Sequence, residues 1–217
     1  MTPSLCAHPF SSYSQKALIG LYENATSFEY RTREDPSANH VLARLWPMKR
    51  FPLLVDPGRT VIEATTIIEY LGLHHPVPVA LIHADTDAAL DVRMMDRFFD
   101  NYISTPMQAI VFDRRRPEDK RDAQDVAEAR AMLDTAYAWL DQPIAGREWA
   151  SSDAFTLADC AAAPSLFYAD WTHPIRAEFA NVRAYRHRLL ARPSFAHAVD
   201  EARPYRSHFP LGAPDRD

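Results

Sequence analysis

Phe51-Pro52-Leu53-Leu54-Val55-Asp56-Pro57-Gly58-Arg59-Thr60-Val61-Ile62-Glu63-Ala64-Thr65-Thr66-Ile67-Ile68-Glu69-Tyr70-Leu71 is the stretch that decides the fold. It reads as an apolar strand entered through a proline, a reversal at Pro57-Gly58, a second strand, and a helix opening at Ala64-Thr65. Proline inside a central strand removes a ladder hydrogen bond, so Pro52 belongs at the strand entrance. An X-Pro bond adopts the cis form at modest cost, and a cis bond here would turn the main-chain groups of Phe51 outward. Glu63 stands where strand becomes helix, beside N–H groups that have no partner inside the helix. Main-chain donors, a carboxylate and a helix end together suit a peptide-like ligand.

Toward the N-terminus, a strand at Leu5-Cys6-Ala7 leads through His8-Pro9-Phe10 into a helix from about Ser14 to Asn24, with Ser14 as its cap. A second strand lies near Phe28 to Thr32, the polar stretch Arg33 to His40 reads as irregular, and a short helix covers Val41 to Leu45. The resulting β-α-β-α-β-β-α order resembles the thioredoxin fold. Gly72 to His83, with Pro76 and Pro78, reads as a linker. Beyond it almost everything has helical period. Leu90, Met94, Phe98 and Tyr102 step along one long helix that Pro106 should kink or break. A second amphipathic helix follows between Glu118 and Leu140. The fold class is therefore α/β plus all-α, with a thioredoxin-like domain over residues 1–75 and an all-helical domain over residues 84–217. Pro210 to Asp217 is expected to be a loosely held tail.

Composition excludes several functions. Twenty-four basic against 29 acidic residues give a net charge of −5, which disfavours a nucleic-acid or anionic-membrane surface. Arg114-Arg115-Arg116 is the only dense basic run and reads as a solvated helix end. Cys6 and Cys160 are the only two cysteines and make no zinc-ligand or redox spacing; both sit in apolar segments and are expected to be buried. No paired-histidine helical motif suggests a metal. The chain opens without a basic-then-apolar leader and carries no bilayer-length apolar run, so a reducing cytoplasm is the expected setting.

Phe155-Thr156-Leu157-Ala158-Asp159 opens an alanine-rich helix. Thr156 and Asp159 have the spacing of a reciprocal capping box, with Phe155 as the hydrophobic staple against Cys160. Asp159 is accordingly read as a structural cap and not as a catalytic acid.

Ser11-Ser12-Tyr13-Ser14-Gln15-Lys16 lies between the first strand and the first helix. Thioredoxin-like folds place a dithiol pair there, and serines at both end positions exclude redox exchange by the protein itself. A serine at a helix N-terminus can instead donate a hydrogen bond to a sulfur, while the helix end favours thiolate over thiol.

Taken together, Phe51-Pro52, Glu63, the serine loop, the capping segment and Arg192-Pro193-Ser194 resemble the glutathione S-transferase superfamily, with features similar to its serine-type, zeta-like members. The resemblance spans about Leu5 to Arg203. It implies that Arg50, Phe51, Pro52, Glu63 and Ala64 bind glutathione as cosubstrate, and that Ser11 stabilises its thiolate, with Ser12 and Tyr13 as alternates. Lys49 is an alternative to Arg50 for the glycine carboxylate. Ala64 stands where the family has serine, and Trp46 where zeta-like members have asparagine; Thr65 or Thr66 is the candidate replacement hydroxyl. The partner substrate would be a small hydrophobic electrophile in a pocket between the domains walled by Phe10, Tyr13, Tyr102, Met107 and Phe112. Conjugation of the detoxifying kind is the implied activity. A maleylacetoacetate-type isomerase and a non-catalytic glutathione-binding protein are its rivals. A homodimer is implied, formed by the Thr65–Leu71 helix against the partner's Arg93–Arg97 region.

Overall fold

The computed structural model of the protein describes residues 2–75 and 78–217. Strand β1 (Ser4–Ala7) is followed by α1 (Ser12–Glu23), β2 (Glu29–Thr32), α2 (Pro36–Leu45), β3 (Leu53–Asp56), β4 (Arg59–Ile62) and α3 (Ala64–His74). The four strands form one sheet in the order β2-β1-β3-β4. β1 pairs parallel with β2 and antiparallel with β3, and the β3–β4 hairpin sets Leu54 opposite Val61. Gly58 has φ +81°, the left-handed geometry that the reversal after Pro57 requires. The element order is the β-α-β-α-β-β-α order read from the sequence, and Leu5, Leu18, Leu54, Val61 and Ile67 close the core between the sheet, α1 and α3.

Several local boundaries differ from the sequence reading. Helix α1 begins at Ser12 and is capped by Ser11, whose Oγ accepts from the Ser14 N–H at 3.3 Å. Ser14 is buried and accepts instead from the His8 N–H at 3.2 Å, tying the loop to the helix. The stretch expected to be irregular becomes the start of α2. Asp35 caps it and Pro36 takes its first turn, where a missing N–H costs nothing. Helix α3 runs through Gly72 to His74, so the interdomain link begins at His75; Pro76 lies outside the described residues.

The second half is helical: α4 (Thr86–Phe98), a π-helical turn (Phe99–Ser104), α5 (Thr105–Arg115), a 3-10 turn (Glu118–Lys120), α6 (Ala123–Leu140), α7 (Leu157–Thr172), α8 (Ala180–Leu190) and α9 (Pro193–Ala202). A 3-10 segment over Arg203–His208 follows. Pro106 does not end the helical path. The π turn widens the helix just before it, and Thr105 Oγ1 donates to the Asp100 carbonyl at 3.0 Å within that turn. Helix α7 is buried along its whole length, which its alanines permit by letting neighbours approach closely.

Thr156 and Asp159 form the expected capping box at the start of α7. Asp159 also accepts from the Ala150 N–H at 2.9 Å and from the Tyr185 hydroxyl at 2.5 Å, so its carboxylate joins three segments. Phe155 and Cys160 share the same core, with Phe155 edge-on to Trp149. Both cysteines are free and buried. The C-terminal residues are held, contrary to expectation. Phe209 is buried against Trp171, Arg216 donates to Asp170, and Arg203 and Arg206 reach Asp217. Among the described residues no helix is long and apolar enough to cross a membrane.

Candidate active site

A cleft of about 990 Å³ opens where the sheet unit meets the helices. One wall is the loop from β1 to α1, which supplies His8, Phe10, Ser11, Ser12 and Tyr13. The segment entering β3 supplies Trp46, Lys49, Arg50, Phe51 and Pro52, and the strand-to-helix junction supplies Glu63 and Ala64. The helical side contributes Met107, Gln108, Phe112 and Arg115 from α5, Tyr168 from α7, and His208 and Phe209 from the chain end. All eight residues singled out by sequence, Ser11, Ser12, Tyr13, Arg50, Phe51, Pro52, Glu63 and Ala64, thus border one cavity.

The loop geometry follows from short-range bonds. The Ser11 N–H donates to the His8 carbonyl at 3.0 Å, and Ser11 Oγ caps the helix as an acceptor, which leaves its hydroxyl proton available. His8 Nδ1 accepts from the Phe10 N–H at 3.1 Å, so its proton sits on Nε2, 3.2 Å from Glu34 Oε1. Burial lowers the His8 pKa, with Glu34 opposing, and favours that neutral tautomer. The Tyr13 pKa is pushed up to about 12, by burial first and then by the carboxylates of Asp100 and Glu63. Tyr13 therefore remains a neutral phenol at physiological pH.

The Phe51-Pro52 peptide is cis. Glu63 has φ +67° and its carboxylate makes no cap bond, so the first-turn N–H groups of α3 open toward the cleft beside it. The α1 end faces the same space. Two helix N-termini with Arg33, Lys49, Arg50 and Arg115 surround one lining carboxylate, Glu63. The cleft is therefore cationic in a protein of net charge −5.

Three expectations change. Tyr102 lies away from the cleft, 49% exposed, with its ring 5.7 Å from that of Phe98, on the outer face that Leu90 and Met94 also occupy. Thr65 is not free to replace the missing serine hydroxyl. Its Oγ1 accepts from Lys16 at 2.9 Å and lies 3.0 Å from Asp96 Oδ2. Thr66 is exposed and does not border the cleft. Arg115, read as part of a solvated helix end, also reaches the cleft mouth. Sequence reasoning missed His8 and Arg33, which leave the adjacent ends of β1 and β2, and Gln108, Tyr168 and Phe209, whose approach depends on the helical unit and chain end folding back. Among the described residues no group of histidine, cysteine or carboxylate side chains has the arrangement of a metal site.

Comparison with known proteins settles the family. The glutathione S-transferase N-terminal domain family matches residues 5–78, and the glutathione S-transferase C-terminal domain family matches residues 95–193. The chain belongs to the glutathione S-transferase superfamily. A glutathione S-transferase structure from Methylobacterium radiotolerans, in complex with glutathione sulfonate, is 31% identical with a TM-score of 0.79, over 92% of this chain and 95% of that one. One from Methylobacillus flagellatus with glutathione bound is 25% identical with a TM-score of 0.80, over 91% and 98%. A probable glutathione S-transferase from rice is 33% identical over 99 residues, and that match spans 43% of this chain and 42% of the rice protein's length. A stringent starvation protein A homolog from Haemophilus ducreyi is 23% identical over 88% of the chain.

Proposed function

We propose that the cleft binds glutathione and that the protein transfers its thiolate to a small electrophile. The observation that carries this reading is the charge layout: two helix ends and four cations around a single lining carboxylate. Glutathione has two carboxylates, one ammonium and a thiol, the complement of that arrangement. Arg50 or Lys49 would take the glycine carboxylate. The Phe51 main chain beside the cis bond would pair with the cysteinyl main chain. Glu63 would receive the γ-glutamyl ammonium, and the N–H groups at Ala64 and beyond its carboxylate. Ser11 would donate to the sulfur, with the α1 helix end favouring the thiolate. Phe10, Met107 and Phe112 would give the electrophile an apolar seat. The assembly would be a cytoplasmic homodimer.

A glutathione-binding protein without turnover is the second reading. It is favoured by Ala64, which lacks the usual hydroxyl, and by the engagement of Thr65 elsewhere. Calorimetric titration with glutathione followed by a chloro-dinitrobenzene assay separates the two. Binding with conjugation supports the transferase, binding alone the second reading, and no binding rejects both.

A further inference from the structure

The charges that line the cleft do not all find a counterpart in glutathione. Arg33, Lys49 and Arg50 against Glu63 leave the sheet side of the cleft with two positive charges. Glutathione as the thiolate carries two carboxylates and the sulfur charge against one ammonium, so it matches that wall. Arg115 is left over, and it stands on the helical side. It is exposed, and among the described residues it forms no ion pair or side-chain hydrogen bond; the nearby Asp113 carboxylate is taken by Arg116 at 3.1 Å. Its approach to the cleft follows from helical period. Met107, Val111 and Arg115 are spaced one turn apart on α5, Gln108 and Phe112 form the adjoining row, and all five border the cavity. Eight residues of helix set Arg115 about 12 Å from Met107, toward the mouth. This wall therefore runs from apolar groups to an unmatched cation at its outer end.

We propose that Arg115 pairs with a carboxylate on the second substrate, so that the site prefers aromatic acids over uncharged hydrophobic electrophiles. This rests on the conjugation reading above. The substrate ring would lie against Phe10 and Phe112, with its carboxylate toward the mouth and its reacting carbon at the opposite end, facing the glutathione sulfur. A p-chloro-dinitrobenzoate, with both nitro groups ortho to the chlorine, has that layout. In the step, the thiol gives its proton to solvent, and the thiolate forms a C–S bond at the carbon bearing chlorine. The displaced ring electrons move onto the nitro groups and return as the C–Cl bond breaks and chloride leaves. The carboxylate takes no part in these bond changes, so Arg115 acts on binding and selection and not on the chemical step.

The test compares the wild type with Arg115→Met, using glutathione with this benzoate and with its methyl ester, each rate divided by its uncatalysed rate. The wild type should favour the acid. In Arg115→Met the acid-to-ester ratio of kcat/KM should fall about 5- to 20-fold, the size of one partly exposed charge pair, mainly through the KM of the acid. Arg115→Lys should recover part of the preference, and high salt should weaken it in the wild type. An unchanged ratio, or an equal loss on both substrates, overturns the proposal and leaves Arg115 a solvated helix end. Weaker binding of glutathione itself by Arg115→Met also overturns it, because the cation then belongs to the glutathione site. A second measurement needs no turnover: titration with the carboxy-dinitrophenyl conjugate of glutathione and with the methyl ester of that conjugate. Tighter binding of the acid by the wild type, erased in Arg115→Met, sustains the assignment even where no conjugation is catalysed. Equal binding overturns it and leaves the glutathione reading intact, whereas failure of glutathione and both conjugates to bind rejects that reading and this proposal with it.

Discussion

Lys16 on α1 and Asp96 on α4 form an ion pair of 2.6 Å in which each side chain is only 1% exposed. Asp100 accepts from the same ammonium at 2.8 Å, Thr65 joins from α3, and Arg97 closes the cluster from the surface side. The pair links the sheet unit to the helical unit one turn below the serine loop. Two buried carboxylates thus share one buried ammonium. Burial raises the Asp100 pKa, and Lys16 opposes that shift.

Lys16→Met should therefore destabilise the protein by about 3–5 kcal/mol, because it strands buried carboxylates and does not merely delete a contact. Urea unfolding measures the loss. Adding Asp96→Asn and Asp100→Asn to Lys16→Met should recover part of it, since neutral amides remove the uncompensated charges. A Lys16→Met variant as stable as the wild type would contradict the account.

Asp159 collects donors from the Ala150 and Thr156 main chain and from the Thr156 and Tyr185 hydroxyls while fully buried. Spacing alone suggests a cap worth about 1 kcal/mol. With these donors left unsatisfied, Asp159→Ala should cost about 3 kcal/mol or more and lower the melting temperature. Glutathione affinity of the folded variant should persist, because Asp159 does not border the cleft.

Glu23 accepts from Arg192 at 2.9 and 2.6 Å and from Ser194 at 2.5 Å, joining α1 to α9. Burial alone would raise its pKa, but these bonds outweigh burial and hold it below the usual carboxylate range. The unfolded chain then binds this proton more readily than the folded one, so the contribution is complete above the unfolded carboxylate pKa. It is lost as pH falls through the folded value. Glu23→Gln should be less stable at neutral pH and show a flatter acid limb in thermal melts between about pH 5 and 2. An acid limb as steep as the wild type's would exclude Glu23 as a contributor.

Ser11→Ala should raise the pKa of bound glutathione thiol and slow conjugation at neutral pH by about 10- to 1000-fold, with glutathione affinity nearly retained. Ser12→Ala and Tyr13→Phe are the comparison variants. Ultraviolet titration of the bound thiolate reads the effect directly. A loss confined to Tyr13→Phe would move the donor role to the phenol.

Leu90 and Met94 are exposed along the outer face of α4, and the Trp139 ring lies 4.5 Å from Phe98 beside it. Within one protomer Arg93 already pairs with Glu69 on α3 at 2.8 Å. If this face meets a second copy, Met94→Asp should convert a dimer to a monomer in light scattering at micromolar concentration. A wild-type monomer would reject the dimer.

The parts of this protein written in short spacings were legible before any coordinates. The Pro52 entrance, the Pro57-Gly58 reversal and the Thr156–Asp159 box depend on residues one to three positions apart, where backbone geometry admits few alternatives. The serine loop was legible for the same reason, although the cap fell on Ser11 because the Ser14 hydroxyl was drawn to the His8 N–H. Tyr102 was misplaced because spacing groups it with Leu90 and Met94 on one face but does not say whether that face meets the cleft, and it is the exposed outer one.

The amino-acid order by itself determined the strand and helix order of the first unit and the helix caps, since each is a local consequence of φ/ψ preference, turn chemistry and apolar period; the eight residues around the hairpin and first loop were named by family resemblance, and the fold sets them around one cleft. Only the tertiary structure decided that Lys16 would pair with Asp96 and Asp100, that Gln15 would donate to the Tyr168 hydroxyl, and that Phe209 would border the cleft. Lys16 and Asp100 are 84 residues apart, and Gln15 and Tyr168 are 153 apart. Such pairs carry no periodic signature. They are set when two hydrophobic faces dock and every polar group trapped between them must find a partner or a ligand.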